Sequence, residues 1–65
     1  MNNNYTIMCY TIWFEPINPQ SNGTYYGKTP ILEQAQGVVK ALRKEGQGAF
    51  LKAICSDGME RYVDF

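Results

Sequence analysis

Residues 29–46 read TPILEQAQGVVKALRKEG, and this stretch decides the fold. Its apolar residues fall at Ile31, Leu32, Ala35, Val38, Val39 and Leu42, one stripe of a 3.6-residue period. Glu33, Gln34, Gln36, Lys40, Arg43 and Lys44 fill the other side. Thr29 suits an N-cap, and Pro30 suits the first helical position, where its missing N–H is no loss. Gly46 is placed to end the helix in the left-handed conformation. Gly37 lies inside the helix at ~1 kcal/mol relative to alanine. Either a close neighbour requires it or it is simply tolerated. The Lys40, Arg43, Lys44 cluster sits in the last turns, where cations complement the helix dipole.

The rest of the chain reads as sheet. Residues 4–14 are NYTIMCYTIWF. Odd positions carry Tyr5, Ile7, Cys9, Thr11 and Trp13, and even positions carry Thr6, Met8, Tyr10, Ile12 and Phe14. Neither set is polar, so this strand is contacted on both faces. Glu15-Pro16 ends it, because proline cannot donate to a ladder. Residues 16–23 hold two prolines, two asparagines, a serine and a glycine, which is loop composition with a turn at Asn22-Gly23. Thr24-Tyr25-Tyr26 is expected to form a short second strand paired back on the first.

Residues 49–65 read as a hairpin about Ser56-Asp57-Gly58. A two-residue Asp57-Gly58 loop would set Leu51 opposite Asp64 and Lys52 opposite Val63. A three-residue loop puts Gly58 at the left-handed position of a bulged type I turn. It pairs Ala53 with Arg61, Leu51 with Val63 and Ala49 with Phe65, which keeps the aliphatic residues on one face. Phe50, Lys52, Ile54, Glu60, Tyr62 and Asp64 then share the other.

The expected architecture is one small α+β domain spanning residues 1–65. An antiparallel sheet of three or four strands carries one amphipathic helix on a single face, in the order β-(β)-α-β-β. The helix covers Ala49, Leu51, Ala53, Val63 and Phe65 with one side of the first strand. One helix covers one face, and the uncovered face is apolar, as interaction surfaces are. The expected partner-binding residues are Tyr5, Trp13, Phe50, Ile54 and Tyr62. Tyr10 and Phe14 replace those of the first strand if that strand is turned over. Trp and Tyr are favoured because binding hot spots are enriched in them.

Composition removes several function classes. A chain of 65 residues buries only ~60% of the surface it exposes when unfolded. Chains this short generally use disulfides, a metal or association for added stability. Two cysteines and no histidine argue against the common Cys/His zinc sites, and no cofactor is expected. Six basic and six acidic residues balance and are spread along the chain. Nucleic-acid affinity rests largely on phosphate neutralisation, so base stacking on the open sheet face is the second hypothesis rather than the first. No stretch approaches the ~20 apolar residues of a membrane span. The polar start, Met1-Asn2-Asn3-Asn4, lacks the charge and apolar run of a secretory leader. The expectation is a cytoplasmic protein with reduced thiols, and Asn4-Tyr5-Thr6 and Asn22-Gly23-Thr24 are then chance tripeptides rather than glycan acceptors.

The motifs that could carry chemistry have simpler explanations. Gly27-Lys28-Thr29 is similar to the end of a phosphate-binding loop, but Gly23 is one residue too near and Pro30 removes an N–H from the site. Cys9 and Cys55 lie in separate strands, and both are expected as free thiols. Without a histidine neither has a base for nucleophilic work. Glu60 and Asp64 share a face of one strand with Lys52 across from them, a solvated cross-strand charge cluster rather than an acid–base pair. Asp57 bonds its own turn. The protein is therefore expected to be a non-enzymatic adaptor, subunit or inhibitor. Its partner is another protein or a second copy, with no membrane and no small-molecule substrate.

Overall fold

The strand-forming run near the start of the chain becomes β1 (Ile7–Phe14). The computed structural model describes residues 4–15 and 23–64. Four elements follow: β2 (Thr24–Thr29), α1 (Leu32–Lys44), β3 (Ala49–Cys55) and β4 (Glu60–Val63). The strands form one antiparallel sheet in the order β2-β1-β3-β4. Strands β2 and β3 are both antiparallel to β1, so they run parallel to each other, and α1 is the crossover between them. This is the expected α+β arrangement. The short strand at Thr24 is longer than expected and reaches Thr29. The Asn22 turn and the Ala49–Phe65 pair lie outside the described residues.

That extra strand length moves the start of the helix. Thr29 is held opposite Tyr10 in the ladder, so it cannot be the N-cap, and Pro30 is not the first helical residue. The N-cap is Ile31, with no side-chain cap, and its carbonyl accepts the first helical bond from the Ala35 N–H at 3.1 Å. The Thr29 hydroxyl instead accepts the Ile31 N–H at 3.2 Å, steering the chain from strand to helix. Ile31 and Leu32 consequently stay exposed, at 50% and 37%, and drop out of the core stripe. The other end follows expectation. Gly46 has φ +88°, its N–H bonds the Arg43 carbonyl, and the Gln47 N–H bonds the Leu42 carbonyl. These are the two bonds of a Schellman motif.

One face of the sheet meets α1. Burial alternates perfectly along β3, with Ala49, Leu51, Ala53 and Cys55 buried. Ile12, Ala35, Val39, Leu42, Ala49 and Leu51 form the central cluster, with Tyr10, Phe14, Val38 and Val63 packed around it. Thus β1 turns its even-numbered residues to the helix, which sequence periodicity left open. The alanines at 35 and 49 keep the two layers close, while Leu51 and Val39 supply the largest fully buried side chains. Beyond its chain neighbours and its own helical backbone, no described atom lies within 4 Å of where a Gly37 Cβ would stand, so that glycine is tolerated rather than required. No described helix is long and apolar enough to cross a membrane.

The second hairpin takes the three-residue loop. Ala53 pairs with Arg61 and Leu51 with Val63, and Gly58 has φ +86°. The Cys55 N–H bonds the Met59 carbonyl, and the Gly58 N–H bonds the Cys55 carbonyl. Both cysteines are free. A bulge between Ile7 and Cys9 sets Cys9 opposite Ile54, whereas Cys55 pairs with Ile7, so the two thiols belong to opposite sides of the sheet.

Two stability measurements follow from this core. Leu51→Ala is expected to cost ~2–5 kcal/mol, comparable with the ~3–5 kcal/mol that a core of this size supplies. Circular dichroism should show an isolated chain largely unfolded. Gly37→Ala should stabilise by ~1 kcal/mol and raise the thermal midpoint by about 4–8 °C.

Candidate functional site

The face of the sheet away from α1 is a small grid of paired residues. Across the middle run Lys28, Thr11, Lys52 and Tyr62, one from each strand in sheet order. One row along lie Tyr25, Trp13 and Phe50, and on the other side lie Cys9, Ile54 and Glu60. A register shift between Ile12 and Trp13 lets Tyr25 join the Trp13 row, while Tyr26 meets Phe14 edge-on at 5.3 Å.

The rings hold one another in place. Trp13 and Tyr25 pack edge to face with centroids 5.5 Å apart, and Phe50 and Tyr62 tilt together at 5.6 Å. The Trp13 indole N–H donates to the Thr11 hydroxyl at 2.8 Å, and that hydroxyl donates to the Lys52 carbonyl at 3.2 Å. The indole is thereby tied to the backbone of the neighbouring strand. Its polar handle is satisfied inside the sheet, and its ring is left as an apolar platform.

Lys52 sits at the centre of these rings. Its ammonium is 4.6 Å from the Trp13 centroid, 5.6 Å from Tyr62 and 5.9 Å from Phe50. Each distance is within reach of a cation–π attraction. Glu60 completes the group at 3.5 Å, and the Lys52 side chain is only 15% exposed. A lysine on an open sheet face would ordinarily extend into water. Here it lies down, pairs with its acid and fills the space between three aromatic rings.

Of the five residues expected from sequence, the structure brings four together. Trp13, Phe50 and Ile54 are half-buried by their neighbours, and Tyr62 is 74% exposed. Tyr10 and Phe14 are not needed in their place, since both pack on the helix side. Tyr5 stands apart. Its ring stacks on the Arg61 guanidinium at 3.9 Å, and Arg61 shares the Ala53 side of the sheet. Sequence reasoning also missed Thr11, Tyr25 and the central position of Lys52. The hairpin register did place Lys52 among the right residues, but no pattern showed that it would fold down onto the rings.

Arg61 belongs to a separate polar group at the hairpin turn. It donates to both Asp57 carboxylate oxygens, at 3.2 and 2.9 Å, and Asp57 Oδ1 accepts the Met59 N–H at 3.0 Å. These bonds favour the ionised carboxylate, first the pair with Arg61 and then the Met59 amide, and hold Asp57 below its ordinary 3.8. The group closes the turn.

Comparison with family models, with characterised proteins and with solved structures finds no significant match to this chain.

The Asp57 arrangement has a pH signature. A carboxylate whose folded pKa is lowered contributes stability above its unfolded pKa and loses it as pH falls through the folded value. In an NMR titration Asp57 should ionise below 3.8, and Arg61→Ala should move the midpoint back up toward it. An Asp57 midpoint unchanged by Arg61→Ala would contradict the pairing.

Proposed function

We propose that this protein is a non-enzymatic interaction module, a small adaptor, subunit or inhibitor that docks another protein chain on its open sheet face. The observation that carries the reading is the ring cluster of Trp13, Phe50 and Tyr62 about Lys52, which no described element covers. Such a surface is apolar, ordered before binding and bordered by charge. Interaction hot spots have this make-up, with Trp and Tyr at their centre. Pre-ordered rings also reduce the entropy lost on association.

The face is a better candidate than the sheet edges. Strand β4 has four residues and carries Glu60 and Arg61, and β2 is followed directly by Pro30. Short, charged and proline-terminated edges resist strand addition. Base stacking on the same rings is favoured less. The face pairs one of its lysines with Glu60, and few cations remain to follow a phosphate backbone. A cytoplasmic setting, with Cys9 and Cys55 kept reduced, accords with this reading.

The test is affinity capture with three versions of the chain. The wild type and Lys44→Ala, altered on the exposed side of α1, should retain the same partner, and Tyr62→Ala should lose it with its circular dichroism unchanged. Capture that survives Tyr62→Ala and Phe50→Ala would refute docking on this face. Capture of nucleic acid that weakens steeply with salt would favour the stacking reading instead.

A further inference from the structure

We infer that the occupant of the open face is a second copy of this chain, packed sheet against sheet about a two-fold axis parallel to the strands. The inference rests on the docking reading above and narrows it to one partner. Its starting point is the placement of charge. Lys28 lies on β2 at one edge of the face, and Glu60 lies on β4 at the other. The rings occupy the middle. A uniformly acidic or basic partner would satisfy one edge and oppose the other. A copy turned about an axis along the strands sets each β2 over the other copy's β4. Lys28 then comes over the partner copy's Tyr62 and within side-chain reach of its Glu60, and both edges are matched at once.

The same rotation sets each β1 over the other copy's β3, so Trp13 meets Phe50 twice. An isologous contact of this kind requires a self-complementary patch, and this grid is one. Lys52 is no obstacle, because its ammonium already has Glu60 and three rings as neighbours before the sheets meet.

The area is sufficient. Four strands ~4.8 Å apart over about 20 Å of length present roughly 400 Å² of flat footprint per copy. With side-chain relief, two copies bury on the order of 1,000 Å², the size at which specific association begins. Aligned packing of two such sheets is the ordinary arrangement of a β-sandwich core. Pairing through β4 edges is less suited. An antiparallel ladder centred on Tyr62 sets Glu60 against Asp64, and one centred on Arg61 sets arginine against arginine.

Sedimentation equilibrium of the full chain from ~1 to ~500 μM spans the affinities expected of a contact this small. The mass should rise from 7.4 kDa toward twice that value. Tyr62→Ala should weaken the dimer about tenfold or more. Lys28→Glu and Glu60→Lys should each weaken it, and the double variant should recover much of the loss relative to Glu60→Lys alone. That comparison cancels the disturbance of Lys52 within each chain. A mass fixed at 7.4 kDa throughout overturns the inference, and so does a dimer indifferent to Tyr62→Ala and to the charge exchange. A chain that stays monomeric yet captures a different protein through Tyr62 would overturn the second copy and leave the docking reading standing. A monomer with no Tyr62-dependent capture would remove both.

Discussion

The contact of α1 with β1 and β3 is the constraint on which everything else depends. It joins Ala35, Val39 and Leu42 to Ile12, Ala49 and Leu51, and those side chains make up most of the water-free interior. Because three of the eight buried apolar residues among those described are alanines, the layers approach closely but the buried volume is small. Among the described residues there is no second helix. The side of the sheet that α1 does not reach must settle its own apolar residues, and it does so by packing ring on ring about a reclining lysine. The self-filled face goes with a single covering helix among the described residues.

Most of this architecture was legible in the sequence, and the reasons differ from one element to the next. The register of the second hairpin could be derived because only the three-residue loop keeps Leu51 and Val63 on one side. Gly46 announced the helix end, since a left-handed residue follows the last apolar position. The helix start was misread because Thr29-Pro30 is a good local capping signal, and local signals yield to a strand ladder that extends to Thr29. Nothing in the local pattern reported how far β2 would stay paired. The face that β1 presents to α1 was not readable, because both sides of that strand carry comparable apolar residues.

The candidate face was partly legible. Alternation in residues 49–55 placed Phe50, Lys52 and Ile54 together, and the hairpin added Tyr62. Trp13 joined them by its register with Phe50. Tyr5 was assigned by extending the alternation of β1 toward its start, but the bulge between Ile7 and Cys9 breaks that alternation. Bulges depend on tertiary pairing, so the error was built into any reading by parity. The hydroxyl of Thr11 escaped notice because a threonine in a strand is ordinarily a propensity choice, whereas here it is the acceptor that fixes an indole.

Helix α1 lies against β1, β2 and β3 but makes no comparable contact with β4. Strand β4 is held by its ladder to β3, by Val63 at the central cluster, and by side-chain contacts of Glu60 with Lys52, Tyr62 with Phe50 and Arg61 with Tyr5, with no described helix packed behind it. Elements anchored on one side open more often than those clamped on both. The final strand should therefore fray ahead of the rest, and amide exchange should be fastest along it. Tyr62, the most exposed ring of the face, rides on that edge strand. Whatever settles over the aromatic grid would also pin the fraying strand, so occupancy and folding cooperativity would rise together.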